Sequence, residues 1–94
     1  MNRKDRVSDL INKISEEVLE FIKENESPSA DRWVSSIQIK DALALNFVAV
    51  PKANIQYGEK GWLFAIIARI LEDSNKVEYK KIGNRAYYRS VWEP

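Results

Sequence analysis

Apolar residues recur at three- and four-residue steps from Val7 through Leu10, Ile11, Ile14, Val18 and Phe21 to Ile22. At 100° per residue they fall within a stripe about 120° wide, the signature of an amphipathic helix. The spacing predicts helix 1 over about residues 5–25, ending where Asn25-Glu26-Ser27-Pro28-Ser29 gathers turn formers and a proline disfavours helical backbone in the residue before it. Asp9, Lys13, Glu16, Glu17, Glu20 and Glu24 occupy the opposite face, a mostly acidic surface that repels phosphate. The stripe is expected to be domain core. Its first turns are long enough to extend beyond the domain and pair with a second copy, so the chain is expected to be a monomer or a homodimer.

Trp33-Val34 forms a short apolar, extended piece. Ser35-Ser36-Ile37-Gln38 then has the form of a capping box, with Ser35 accepting from the Gln38 N–H, the Gln38 side chain reaching back, and Val34 and Ile39 at the staple positions. Helix 2 is expected over about residues 36–45, with Asn46 as a left-handed cap. Val50-Pro51 argues against a continuous helix, and Phe47 to Tyr57 reads as an irregular connection. Helix 3 is expected over about residues 59–73, with Leu63, Ile66, Ile67, Ile70 and Leu71 inward and Gly61, Ala65, Ala68, Arg69 and Glu72 on the other face. After Ser74-Asn75 the period changes to two. Val77–Ile82, Gly83-Asn84 and Arg85–Ser90 read as a hairpin with a type II′ turn. That register pairs Ile82 with Arg85, Lys80 with Tyr87, Tyr79 with Tyr88, Glu78 with Arg89 and Val77 with Ser90. Val77, Tyr79, Ala86 and Tyr88 then face the helices, while Lys80, Arg85, Tyr87 and Arg89 make a basic and aromatic outer face. The fold class expected is mainly α with a small β-hairpin, an α+β arrangement in one domain over residues 1–94.

Composition narrows the chemistry. The chain has no Cys and no His, which excludes Cys/His zinc sites, cysteine nucleophiles and histidine bases. No Gly-rich phosphate loop or calcium-loop spacing is present. We therefore expect no enzyme activity, no cofactor and no metal. The longest apolar run, Trp62 to Ala68, is far shorter than the roughly 20 residues that span a bilayer. An intracellular, cytoplasmic protein without membrane contact is expected. The net charge of +1 hides a division: residues 1–50 carry 7 basic and 9 acidic side chains, residues 51–94 carry 8 and 5. The hairpin is the positive pole, with Lys76, Lys80, Lys81, Arg85 and Arg89 against Glu78 alone.

Helix, short extended piece, capped second helix, third helix and basic hairpin together resemble the winged-helix variant of the helix-turn-helix. The resemblance covers roughly Ile11 to Trp92 and is carried by Ile66-Ile67-Ala68-Arg69-Ile70-Leu71-Glu72-Asp73-Ser74-Asn75-Lys76-Val77-Glu78-Tyr79 followed by Gly83-Asn84-Arg85-Ala86-Tyr87-Tyr88-Arg89. It implies a three-helix winged helix-turn-helix that contacts double-stranded DNA, with helix 3 toward the major groove and the hairpin as a wing along the phosphates. The connection from Asn46 to Glu59 is longer than in a standard helix-turn-helix, and helix 3 offers Arg69 alone for bidentate base contact. The expected DNA-binding residues are Lys52, Asn54, Gln56, Tyr57 and Lys60 before or at helix 3, Arg69 on it, and Lys80, Lys81, Arg85, Tyr87 and Arg89 on the wing. A regulator or accessory module acting on DNA follows from this resemblance. The alternative is a protein-interaction module of the same fold, for which near-zero net charge, an acidic helix 1 and a small-residue face on helix 3 argue. Trp33, Trp62 and Trp92 read as core or terminus anchors.

Overall fold

The computed structural model describes residues 2–26, 32–45, 50–52, 55–57 and 61–91, with only the backbone described for 50–52 and 55–57. Its elements run α1 (Arg3–Asn25), β1 (Val34–Ser35), α2 (Ser36–Ala42), β2 (Val50–Lys52), β3 (Ile55–Tyr57), α3 (Trp62–Asp73), β4 (Val77–Ile82) and β5 (Arg85–Ser90). This is a small α+β domain in which β1, β5 and β4, in that order, form an antiparallel sheet and β2 and β3 form a separate ribbon. Among the described residues no helix is long and apolar enough to cross a membrane.

Local signals set most of the element ends. The Asn2 side chain accepts from the Asp5 N–H at 2.9 Å and opens α1, and Ser35 accepts from the Gln38 N–H at 3.1 Å to open α2, each meeting one of the unpaired donors of a first turn. The expected reciprocal bond is not made. Instead Gln38 Nε2 donates to Asn25 Oδ1 at 3.3 Å, tying the start of α2 to the end of α1. Helix α2 stops at Ala42, short of the expected Leu45, because Ala44 turns left-handed at φ 56°. The Leu45 N–H then donates to the Lys40 carbonyl at 2.8 Å and the Ala44 N–H to the Asp41 carbonyl, closing a Schellman cap one residue pair earlier than an Asn46 cap would; Asn46 itself lies outside the described residues. Asn75, at φ 59°, closes α3 in the same way, with Lys76 N–H on the Leu71 carbonyl at 2.8 Å.

Where an irregular connection is expected, β2 and β3 pair antiparallel, Val50 with Tyr57, Pro51 with Gln56 and Lys52 with Ile55. In a two-stranded ribbon both strands are edges, so Pro51 can present its missing donor to the outside. The β4–β5 hairpin has the expected register at all five pairs, together with Lys81 opposite Ala86. Gly83 takes φ 59° and Asn84 is not left-handed, the arrangement of a type II′ turn.

The core brings together Val18 and Ile22 of α1, Val34 of β1, Ile39 of α2, Phe64, Ile67, Ala68 and Leu71 of α3, Val77 of β4 and Tyr88 of β5. Two expectations about it are corrected. On α3 the inward face is centred on Phe64, Ile67, Ala68 and Leu71, whereas Ile66 is 51% exposed. Seven consecutive apolar residues from Trp62 give no periodic contrast there, so contacts with α1 and the sheet choose the face. On α1 the stripe is core only from its midpoint: Val18 and Ile22 are buried, while Val7 and Leu10 are 55% and 59% exposed. The hairpin's inner face holds Val77, Tyr88 and Ser90 buried, but Tyr79, farther along, is 42% exposed.

A long-range polar tether joins these layers. The Val91 N–H points to β4, bonding the Lys76 carbonyl, so the Ser90 N–H points the other way, past the end of β1. There the chain leaves the sheet, since Arg32 is left-handed at φ 59°. The Glu26 carboxylate, at the end of α1, accepts from the Ser90 N–H and pairs with Arg32 at 3.5 Å. It supplies the acceptor that a longer β1 would have supplied.

Candidate nucleic-acid interface

Strand alternation gives the sheet two unlike faces. Val34, Tyr88, Val77 and Ser90 point into the helices, and Ser35, Tyr87, Lys80, Arg85, Ile82, Glu78 and Arg89 occupy the outer face by register. Trp33 precedes β1 and, by the same register, stands beside Arg89. The Arg89 guanidinium lies 4.2 Å and the Lys80 ammonium 4.7 Å from the Trp33 ring centroid, both within cation–π range. Trp33 is therefore the half-buried floor of a cationic surface, not a core anchor. The sequence signal for this was the Trp33-Val34 step itself: with Val34 inward, the residue before it must point out.

Arg89 is additionally fixed by Glu78, its cross-strand partner, at 2.8 Å. Among the described residues no carboxylate pairs with Lys80, Lys81 or Arg85. Lys80 is half-buried on Trp33, and Lys81 and Arg85 are exposed near the hairpin tip. Lys81 stands opposite Ala86 and so belongs to the other face of the hairpin; it joins the group because it is exposed, as are residues 82–85 that turn beside it. Arg85 and Lys81 thus flank the tip on opposite faces of the hairpin, with Lys80 farther back on Trp33.

The helix 3 candidates fare differently. Arg69 is exposed but its Nε donates to Asp73 at 3.1 Å, one turn away. The pair offers no net charge, and the exposed neighbours are Ala65, Ile66 and the acid Glu72. Ala68 is buried, which removes it from the expected small-residue outer face. Lys52, Gln56 and Tyr57 lie on the β2–β3 ribbon, where the backbone alone is described. Asn54 and Lys60 lie outside the described residues, as does Trp92. The structure therefore brings together Lys80, Arg85, Tyr87 and Arg89 with Trp33, sets Lys81 behind them, and leaves Arg69 on a separate element.

Tyr88 supports the sheet from beneath. Its ring meets Phe64 edge-on at 5.5 Å and Tyr79 at 5.3 Å. Burial first, then the neighbouring Tyr79 and Glu72, push its phenol from 10.0 up to about 12. Because the folded value is the higher one, the neutral phenol's contribution is complete below about pH 10 and is lost as pH rises toward 12. Urea melts taken along this range should show stability falling for the native chain and a flatter profile for Tyr88→Phe.

The chain matches no protein family, no curated protein and no solved structure.

Proposed function

We propose that the chain is a non-catalytic winged-helix protein that binds duplex DNA through its wing, as a regulator or an accessory module of a larger assembly. The observation that carries this reading is the cluster of Lys80, Lys81 and Arg85, unpaired with any described carboxylate, around a hairpin whose outer face continues into Trp33, Tyr87 and Arg89. Cations along a hairpin replace condensed counterions on a phosphate backbone, giving affinity without base readout. Arg69 is occupied by Asp73, so the reading gives α3 little part in choosing sequence. The test is a fluorescence-anisotropy titration of a labelled duplex at several salt concentrations. Three phosphate contacts predict a log–log slope of about −3, similar for unrelated duplexes. No binding to any duplex at low salt would overturn the proposal.

A second reading is favoured by Ile66, 51% exposed beside Ala65 on α3. An apolar outer surface at that place suits a protein partner better than a groove lined with phosphates. Absence of duplex binding together with an intact fold would favour it.

A further inference from the structure

Helix α1 is longer than the body it packs on. Its buried residues are Ser15, Val18 and Ile22, and the twelve residues from Arg3 to Ile14 project ahead of them. Over that length the apolar stripe continues: Val7 is 55%, Leu10 59%, Ile11 38% and Ile14 39% exposed. A free amphipathic helix end with four large aliphatic residues on one side has a surface that water disfavours and that nothing within the described residues covers.

Charge along the helix selects the occupant. Arg3, Lys4 and Arg6 with Asp5 make the first turns positive, while Glu16, Glu17 and Glu20 make the region past the stripe negative. Arg6 and Glu17 are eleven residues apart, so at 100° per residue they stand within about 20° of one another, on the same flank of the stripe. That flank faces away from α3, because Ser15, Val18 and Ile22 lie on the other side. A two-fold antiparallel pair centred between Leu10 and Ile11 sets Val7 against the partner's Ile14 and Arg6 level with the partner's Ser15, two residues or about 3 Å along the axis from the partner's Glu17 and within reach of its long side chain, twice by symmetry. A parallel pair would set the basic turns against each other and the acidic turns against each other, and would crowd both domain bodies at one end.

We infer that the projecting half of α1 pairs antiparallel with a second copy of this chain, with Val7, Leu10, Ile11 and Ile14 as its seam and Arg6 reaching along its edge to the partner's Glu17. The inference is independent of DNA binding.

Sedimentation equilibrium of the full chain should show a mass twice the 10.9 kDa protomer at concentrations up to about 200 µM, enough to populate a short helix pair with a dissociation constant of about 10 µM. Leu10→Glu, at a position exposed in the protomer, should yield a monomer with unchanged far-UV circular dichroism. Arg6→Glu should weaken association about fivefold, and Arg6→Glu with Glu17→Arg should restore it. The natural lack of cysteine allows a direct test of direction. Ile11→Cys lies near the two-fold axis and should oxidise to a disulfide-linked dimer, whereas copies of Arg3→Cys stand about 22 Å apart along the axis and should not. A monomer at every concentration, a dimer that survives Leu10→Glu, or equal crosslinking at both positions would overturn the inference.

Discussion

Replacing Lys80, Lys81 and Arg85 together by alanine is expected to weaken duplex binding on the order of 100-fold at low salt and to reduce the salt slope by about three. The three were chosen for what each one lacks. No described carboxylate pairs with them, so their charge is available, and none of the three is buried, so truncation leaves the core intact. Arg89 is left in place because it is held by Glu78 at 2.8 Å; its removal would leave that carboxylate without its cross-strand partner as well as lowering the charge. Arg69→Ala supplies the contrast. Its guanidinium is satisfied by Asp73 on an exposed helix face, so the affinity loss should stay within about threefold. An equal loss from both variants would move the binding surface to α3. The triple variant should keep the native thermal melt, which separates lost contact from lost fold.

The second large effect concerns stability. Glu26→Ala should destabilise the domain by about 2–3 kcal/mol, visible as a lower urea midpoint at unchanged slope and a fall in Tm on the order of 10 °C. The Glu26 side chain is 11% exposed, accepts from the Ser90 N–H and faces Arg32. Truncation therefore leaves a part-buried backbone donor and a part-buried guanidinium without their acceptor, the costly half of a lost hydrogen bond. Glu26→Gln keeps an oxygen for the Ser90 N–H and should recover about half of the loss. If both substitutions cost less than about 0.5 kcal/mol, the tether contributes nothing and the end of α1 is held by apolar packing alone.

What could be read from the sequence follows the range of the forces involved. The hairpin register was legible because Gly83-Asn84 fixes a two-residue turn and alternation then dictates every pair, five of them as expected. The opening of α2 was legible because its Ser35 cap acts over three residues. The Glu26 tether was not, since its acceptor and donor are 64 residues apart and neither has a local pattern. The orientation of α3 was hidden for another reason: its first seven residues are all apolar, so they leave the centre of the inner face open over several neighbouring positions, and Phe64 with Ala68 took the inner side through contacts with α1 and the sheet. The ribbon of β2 and β3 was missed because a proline argues against a strand only where both of its neighbours need hydrogen bonds.

The same division applies to the candidate site. Its wing half was legible from charge and alternation, and the sheet adds Trp33 beneath Lys80 and Arg89. Arg69 was a reasonable candidate by type, but an acid four residues later neutralises it, a helical spacing that the sequence displays plainly. The apolar stripe of α1 runs unbroken in the sequence through both core and outer extension, and the structure places the boundary between the two at Ser15.

Heteronuclear NMR of the labelled chain, titrated with a short duplex at low salt, tests the central claim most directly. Shifts are expected to concentrate on the Trp33 indole and on the amides of Lys80, Lys81, Arg85, Tyr87 and Arg89, with α1 and the outer face of α3 unmoved. Shifts centred instead on Ile66 and Arg69, or none on the hairpin at saturating duplex, would contradict it.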